Sequence, residues 1–264
     1  MSAVISVYSA IIVEVDGPVA VLTLNRPDSH NALHVEMGTE IQRAMIEIEN
    51  DSRIRALILT GAGSVFCSGR DPGNPSRTSP DTTANCTEAW CCALASIRAS
   101  RVPVIVAVNG KVVEDGILLA LCGDWLLAAN SAEFVHLFSA IDSAPNVGLT
   151  QYIPRAMGRP PSLKTMISKE PVSAEQALQW GIINECLEAG QLLPRARELA
   201  AQLARGPTRA LVATRQLVDE GASNSFEAQC RRELEINREL REYFDGKEGV
   251  QAFLQKRPAR FRGE

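Results

Sequence analysis

The sequence predicts an α/β protein, because strand-like and helix-like patterns alternate along the chain up to about residue 135. The runs 55–60 (RALILT) and 103–108 (PVIVAV) are nearly continuous apolar segments, as is typical of strands covered on both faces. Apolar residues recur at helical spacing over 33–48, and the chain turns helical beyond residue 150. A length of 264 residues suits one medium-sized domain, or a main domain with a small appendage.

Turn and capping patterns predict further elements in order along the chain. Residues 9–25 contain two strand-like runs joined at Asp16-Gly17-Pro18, where the Asp-Gly pair supplies positive φ angles and Pro18 begins the return strand at a sheet edge. The segment 173–176 (SAEQ) is a capping-box start of a helix that Gly181 ends. Long amphipathic helices are predicted over 208–219 and 226–244.

Residues 71–86 form the longest loop-like tract, with three prolines and many Ser and Thr residues. Such a tract is either a mobile lid over a site or surface without a role. It is followed by Trp90 and the adjacent pair Cys91-Cys92, which we expect to pack in a helix core.

The composition excludes several classes of protein. Lys and Arg number 27 against 31 Asp and Glu, and the resulting net charge of −4 does not favour a nucleic acid partner. No apolar stretch approaches the roughly 20 residues of a membrane span, and the first residues lack a basic secretory leader. Seven cysteines without a CxxC pair, and three scattered histidines, indicate a cytoplasmic protein with reduced thiols and no metal site.

Two segments combine a strand, a turn of small residues and a helix start. They are 57–71 (LILTGAGSVFCSGRD) and 103–122, which passes through Glu114-Asp115-Gly116. A turn that opens a helix presents backbone N–H groups, and two such turns brought together would bind an oxyanion. From the pattern alone a purely structural role is favoured, because strand–turn–helix connections with glycine are common in α/β proteins.

Five strings, in order and covering nearly the whole chain, resemble the enoyl-CoA hydratase/isomerase (crotonase) family: NRPDSHNAL, GAGSVFCSGRD, PVIVAVNG, SAEQALQWGIINE and GKEGVQAFLQKRPARFRG. The resemblance implies a spiral of ββα units over 1–195 and a helical trimerisation region over 196–264. It also implies a homotrimer or dimer of trimers, with coenzyme A present only as part of an acyl-CoA ligand. In that family two backbone N–H groups hold the thioester oxygen, and ungapped matching places them at Arg70 and Asp115.

The resemblance further implies contacts with the coenzyme. The matched segment 28–32 would line the nucleotide and pantetheine path, and two residues after the first turn would flank the thiol arm. Two residues near the carboxyl terminus, often supplied to a neighbouring subunit, would cover the adenine and meet a phosphate. The positions in this chain are Asp28, Ser29, His30, Ala32, Ser68, Asp71, Phe253 and Lys256.

The sequence departs from its family at the two glutamates that hydratases use as general acid and base. Ungapped matching puts Leu118 at the first position and Phe138 at the second, and neither side chain can transfer a proton. The nearest carboxylates, Asp124 and Glu133, are out of register. We therefore expect no water addition by the two-glutamate mechanism.

A second departure replaces family glycines by Glu114-Asp115. Either the carboxylates stabilise the helix start or one is a relocated acid or base beside the thioester α-carbon. We favour the helix start for Asp115 and leave Glu114 open, because an ionised carboxylate would repel an enolate unless it were protonated or turned away.

Other candidates lie in 134–148. His136 and Asp142 are candidates for a pair that activates water, and the alternatives are a hydrogen-bonded histidine and a turn cap. Asn146 stands where some family members carry an aspartate, and as an amide it can orient a carbonyl or water without acting as a base. Cys67, just before the first turn, is expected to pack because nothing near it in sequence activates a nucleophile.

The function expected from the sequence is therefore binding of an acyl-CoA thioester, with lyase or isomerase chemistry other than two-glutamate hydration. Isomerisation, decarboxylation, C–C cleavage and hydrolysis remain open. The alternative is a protein that binds acyl-CoA without catalysis, in which Leu118 and Phe138 extend an apolar tunnel.

Overall fold

The computed structural model describes residues 3–4, 8–71, 80–136, 144–145 and 148–264. Its strands are β1 (Ala3–Val4), β2 (Ile11–Asp16), β3 (Val19–Leu24), β4 (Ala56–Gly61), β5 (Val65–Cys67), β6 (Val104–Val108), β7 (Lys111–Val113), β8 (Trp125–Ala129), β9 (Glu133–Val135), β10 (Val172–Ser173) and β11 (Glu185–Leu187). Its helices are α1 (Val35–Asn50), α2 (Pro80–Arg98), α3 (Asp115–Leu121), α4 (Leu149–Met157), α5 (Arg159–Ser168), α6 (Ala174–Gln179), α7 (Ala189–Leu203), α8 (Thr208–Gly221), α9 (Phe226–Glu242) and α10 (Phe244–Leu254).

The strands form two sheets that share a repeating ββα unit. The larger sheet has the order β1-β2-β3-β4-β6-β8-β11, and the smaller one has the order β10-β9-β7-β5. In each unit the first strand (β4, β6 or β8) joins the larger sheet, the second (β5, β7 or β9) joins the smaller one, and a helix follows. Strands β4, β6 and β8 are parallel to one another, as are β5, β7 and β9. The α/β class and the predicted spiral of ββα units are confirmed.

The central strands are buried on both faces, as their apolar runs predict. Leu57 and Leu59 of β4 face the main core, which α1, α2 and α3 also line, whereas Ile58 faces a second core against α7. Side chains alternate between faces along a strand, so a strand enclosed by two cores must be apolar throughout. The larger sheet is therefore held rigidly between layers and supports the connections at its edges.

Several local predictions are confirmed. Strands β2 and β3 form an antiparallel hairpin with Gly17 at φ +57°. Both hydrogen bonds of the capping box between Ser173 and Gln176 are present, and Gly181 follows α6 at φ +76°. Trp90 is buried in the main core. The turn and capping residues in the sequence thus predicted where these elements begin and end.

Three predictions are wrong in detail. Pro18 does not begin an edge strand, because β3 pairs with β2 on one side and with β4 on the other. The tract 71–86 is not a loop throughout, because α2 begins at Pro80, a residue that suits the first helical position; residues 72–79 lie outside the described residues. Cys91 and Cys92 are helical but exposed, since the core face of α2 is taken by residues such as Trp90 and Leu94.

The carboxyl-terminal third is helical. Helix α7 packs on the larger sheet, and the predicted boundary between residues 195 and 196 falls within that helix. Helices α8, α9 and α10 contact one another in sequence order. No helix in the described part of the chain is long and apolar enough to span a bilayer.

Asn31 fastens the segment before α1 to the connection between β4 and β5. The side chain is fully buried, accepts a hydrogen bond from the Arg26 N–H, and donates to the carbonyl oxygens of Ala62 and Val65. Truncation of the Asn31 side chain would leave the Arg26 N–H and the carbonyl oxygens of Ala62 and Val65 without this hydrogen-bond partner. The segment 26–33 is thereby held against the turn that precedes β5.

We expect Asn31→Ala to lower the free energy of unfolding by about 2–4 kcal/mol, because it removes a buried amide and leaves three partly buried main-chain groups without this partner. Urea denaturation with a fixed slope measures the change. Asn237→Ala is the matched control, since this exposed amide bonds only within α9. Equal effects of the two substitutions would contradict the role assigned to Asn31.

Candidate active site

The two turns that the sequence singles out lie side by side. Strands β5 and β7 are parallel neighbours, so the segments that follow them leave the smaller sheet at the same edge. A methyl group at Gly69 would come within 2.9 Å of the Val113 carbonyl oxygen, and one at Gly116 within 2.8 Å of Cys67 Sγ. Only glycine permits this approach, so both turns depend on residues without a side chain.

The peptide group that carries the Arg70 N–H has a defined direction. Leu33 donates its N–H to the Gly69 carbonyl oxygen at 2.8 Å, within a parallel bridge between Leu33 and Arg70. In a planar trans peptide the C=O and N–H point in opposite directions. The Arg70 N–H therefore points away from Leu33. Leu33 pairs with the side of this segment that is opposite to the β5–β7 pairing.

The same argument fixes the Asp115 N–H. The Glu114 carbonyl oxygen accepts a hydrogen bond from the Ile117 N–H at 2.8 Å, in the direction of α3. The Asp115 N–H belongs to the same planar trans peptide and points out of the beginning of α3. Each turn thus directs one main-chain donor away from the element that its own carbonyl contacts.

The side chains of the two donor residues form an ion pair. Arg70 Nη2 lies 3.0 Å from Asp115 Oδ2, and the Asp115 side chain is 6% exposed against 24% for Arg70. Burial raises the pKa of Asp115, and the Arg70 guanidinium acts against that shift. Asp115 is the first residue of α3, but the N-cap position is taken by Glu114, and the Asp115 carboxylate pairs with Arg70, so the favoured capping role of Asp115 stays a prediction.

Glu114 stands between the two turns in an unusual backbone conformation. Its φ of 48° and ψ of −117° are favourable for glycine and cost a residue with a side chain about 1–3 kcal/mol. The side chain is half-buried, and burial followed by the neighbouring Asp115 raises the pKa of its carboxyl. Its carboxylate forms no hydrogen bond or ion pair with any residue that the structure describes.

The candidate coenzyme segment is joined to the first turn. Ser68 donates its N–H to the His30 carbonyl oxygen, and Ala32 is buried beside it, whereas Asp28 and His30 are exposed and Ser29 is half-buried. Asp28 and Ser29 lie in a 3₁₀ turn (Pro27–Ser29), and His30 ends it. The structure therefore brings 28–32 and 68–71 together, as the resemblance implies.

Arg26 is a functional candidate that the sequence reasoning missed. Its guanidinium donates to the Ala32 carbonyl oxygen at 2.7 Å and to Asp71 Oδ2 at 3.0 Å. Asp71, predicted to flank the thiol arm, is thus engaged by an arginine 45 residues earlier. The quoted motif NRPDSHNAL contains this arginine, but only the fold reveals which carboxylate it meets.

Several predicted residues lie in or near the same region, and others cannot be described. Leu118 is 3% exposed in the main core, one turn into α3. His136 is buried at the end of β9, and burial lowers its pKa to about 4, which keeps the ring neutral at pH 7. Three candidates, Phe138, Asp142 and Asn146, lie outside the described residues, so their predicted roles stay predictions.

Of the remaining candidates, Cys67 adjoins both turns, whereas the others are described by their own contacts or exposure. Asp124 accepts from the Val104 N–H and from Arg215, and Glu133 pairs with Lys111, in agreement with their being out of register. Burial raises the pKa of Cys67 to about 12, which favours packing over nucleophilic attack. Phe253 and Lys256 lie at the end of α10, where the phenyl ring is 83% exposed.

The geometry of the two turns bears on which ligands the site could suit. Two directed N–H groups at adjacent turns suit an oxygen that gains charge during a reaction. Within the described ranges no three His, Cys, Asp or Glu residues are placed to hold a metal ion.

Comparison with known proteins bears on this geometry. The family model described as enoyl-CoA hydratase/isomerase matches residues 14–264. A probable enoyl-CoA hydratase of Rhodobacter capsulatus is 36% identical over 97% of this chain and 99% of its own length. The 1,2-epoxyphenylacetyl-CoA isomerase of Escherichia coli K12 is 35% identical over 96% of this chain and 98% of its own. A crystal structure of an enoyl-CoA hydratase from Polaromonas sp. JS666 has a TM-score of 0.90, with 31% identity, 96% of this chain and all of that one covered.

We expect Arg70→Met to destabilise the fold at neutral pH by about 3–5 kcal/mol, because it leaves the buried Asp115 carboxylate unpaired. The pKa of Asp115 is above its ordinary value in the folded protein, so the neutral form is favoured there. Stability from this group is present at low pH and is lost as pH rises through the folded pKa. The loss in free energy of unfolding on Arg70→Met is therefore expected to be larger at pH 7 than at pH 4. Denaturation at both pH values measures the difference.

The double substitution Arg70→Met/Asp115→Asn should recover part of that loss, since no buried charge remains. The pair Arg53–Asp51, with an Arg53 side chain that is 83% exposed, is the matched control and should show a smaller coupling. Additive effects at positions 70 and 115 would contradict the ion pair.

Proposed function

Because this chain belongs to the enoyl-CoA hydratase/isomerase family, we propose that it binds the thioester carbonyl of an acyl-CoA between the N–H groups of Arg70 and Asp115. The observation that carries the proposal is the direction of these two groups. The carbonyls of the same peptides are bonded to Leu33 and Ile117, so both donors point away from those contacts and toward the space beside the paired turns.

Two such donors stabilise an enolate or tetrahedral oxyanion more than the ground-state carbonyl. Charge develops on the oxygen only as the reaction proceeds, and fixed main-chain dipoles need no reorganisation to meet it. One donor of this kind is typically worth about 3–4 kcal/mol of barrier. Gly69 and Gly116 support the geometry, because any side chain there would push the turns apart.

The coenzyme part of the ligand would follow the joined segments. Residues 28–32 present exposed polar groups beside Ser68, and the Arg26–Asp71 pair keeps both segments in register. Phe253 and Lys256 would complete the site of a second copy in a homotrimer or a dimer of trimers. Exposed apolar side chains on the carboxyl-terminal helices support such an assembly: Val218, Phe226, Leu234, Val250, Phe253 and Leu254.

The reaction we propose is enolate or oxyanion chemistry other than two-glutamate hydration. Leu118 occupies the first acid–base position and is buried among apolar neighbours, so it cannot deliver a proton. Relatives with this fold are named as isomerase and as hydratase, and only the former activity requires no added water. Isomerisation, decarboxylation, C–C cleavage and thioester hydrolysis all pass through an oxygen anion that the two N–H groups would hold.

A second candidate is binding of acyl-CoA without catalysis. The observation that favours it is the same apolar Leu118, which would extend a tunnel for the acyl chain and contribute about 25 cal/mol per Å² of buried area. The two candidates differ in whether any product forms from a bound thioester.

The oxyanion hole is tested by comparing butyryl-CoA with its thioether analogue, which lacks the carbonyl oxygen. We expect the thioester to bind about 5–100-fold more tightly, because it accepts two hydrogen bonds that the thioether cannot. Titration calorimetry measures both affinities, and free CoA controls for the nucleotide part. Equal affinities would contradict the proposed hole.

Hydration is tested with crotonyl-CoA. We expect turnover at least about 100-fold below that of a two-glutamate hydratase assayed in parallel, because general acid–base groups typically contribute 10²–10⁴-fold. Near diffusion-limited hydration would overturn the argument from Leu118.

A further inference from the structure

We propose that Glu114 is the catalytic base of this site, because its Cβ lies beside Gly69 where the two turns meet and its side chain does not cap α3, while the adjacent Asp115 is held by Arg70. The proposal rests on the proposed function, since the proton to be removed is the α-proton of a thioester bound by the two N–H groups. The proposal identifies the group that transfers the proton, which Leu118 cannot do.

The placement of Glu114 follows from three contacts. Its N–H donates to the Val135 carbonyl oxygen at 3.0 Å, which fixes the turn against the end of β9. Its carbonyl oxygen accepts from Ile117 and so orients the following N–H. A methyl group at Gly69 would lie 3.5 Å from Glu114 Cβ, so the side chain starts directly beside the residue that precedes Arg70. The Glu114 Cβ thus lies beside the turn that carries the Arg70 N–H, and the Asp115 N–H belongs to the next residue.

The two adjacent acids have different partners. Asp115 Oδ2 is 3.0 Å from Arg70, and its side chain is nearly inaccessible. Glu114 is half-buried and makes no capping hydrogen bond to α3, and Arg70 acts on the pKa of its carboxyl less than burial and Asp115 do. A carboxylate bound to arginine is a poor base, whereas an unpaired one with restricted solvation is a better one. The structure thus divides the pair into a counter-ion and a reactive group.

The proposed step balances in charge. The Glu114 carboxylate takes the α-proton, the C–H electron pair becomes the Cα–C double bond, and the carbonyl π pair moves onto the oxygen held by the two N–H groups. Glu114 is neutral once the enolate has formed, so it does not repel it. Asp115 stays compensated by Arg70 throughout. Return of the proton to the same carbon gives exchange, and return to the γ-carbon of a β,γ-unsaturated chain gives isomerisation.

The backbone of Glu114 provides an independent reason to look for a role. At φ 48° and ψ −117° glycine would be less strained, yet the chain carries a glutamate there. Lys169, at φ 62° and ψ 8° after α5, is exposed and far in sequence from both turns, and it serves as a comparison in which a positive φ lies in the left-handed region. Where a strained backbone is kept at a functional position, a substitution that relieves the strain stabilises the protein but lowers its activity.

The titratable and charged neighbours of Glu114 come from three elements. Asp115 on α3 and Arg70 after β5 act on it in opposite directions, and His136 follows the β9 residue that accepts its N–H. Burial keeps His136 neutral at pH 7, so it adds no charge. A base of this kind is active when ionised, and the rate should therefore rise with pH through its pKa.

The experiment follows exchange of α-hydrogens of butyryl-CoA and phenylacetyl-CoA in D₂O by mass spectrometry, which needs only binding and a base. We expect Glu114→Gln to lower the exchange rate by about 10²–10⁴-fold and to abolish its rise with pH, with affinity for the thioester within threefold of the parent. Glu114→Gly should lower the rate equally and raise Tm by a few degrees.

Lys169→Gly is the matched control, and it should raise Tm without altering exchange. Exchange by Glu114→Gln or Glu114→Gly within threefold of the parent would overturn the proposal. So would a parent protein that binds both thioesters and exchanges neither. A parent that binds neither ligand would refute the proposed function itself, and the calorimetric titration separates that result from failure of Glu114 alone.

Discussion

The parallel pairing of β5 with β7 determines where every other part of the candidate site lies. Two strands that run in the same direction release their following segments at one edge, and the glycines at 69 and 116 allow these segments to touch. The hydrogen bonds of Leu33 and Ile117 then orient one peptide in each segment. The proposed site for an oxygen anion would arise in this way from main-chain geometry, before any side chain is considered.

Side chains decide which chemistry such a site performs. In this chain the residue one turn into α3 is the buried Leu118, and the acids lie instead at the beginning of the helix, one as its N-cap and one as its first residue. Arg70 compensates one of those acids and leaves the other. In the proposed mechanism the proton-transferring group would approach the thioester from the side of the turn before α3, which is a different direction from that of a residue further along the helix.

Much of the fold could be predicted from the sequence, because periodicity reports burial directly. The runs 55–60 and 103–108 are β4 and β6 almost to the residue, and the capping box at Ser173 is present. Exposure within a helix was harder to predict, and Cys91 and Cys92 were wrongly assigned to the core. Their apolar neighbours in sequence point to other faces of α2, and only packing reveals which face is covered.

The candidate site could be predicted only where a motif names a main-chain position. Arg70 and Asp115 were located by matching, but the ion pair between their side chains joins residues 45 apart and has no local pattern. The same holds for Arg26 and Asp71, which are also 45 residues apart. Long-range pairs of this kind depend on how the sheets bring separate turns together, which a one-dimensional pattern does not encode.

The Arg70–Asp115 pair also constrains how the protein can diverge. A main-chain N–H places no demand on the identity of the residue that carries it, except that it is not proline. Here each such residue is also the counter-ion of the other, so a change at either one strands a charge that has little access to water. We therefore expect proteins descended from this sequence either to keep both residues or to replace both. Such joint replacement would occur at two positions whose main-chain N–H groups keep the same role.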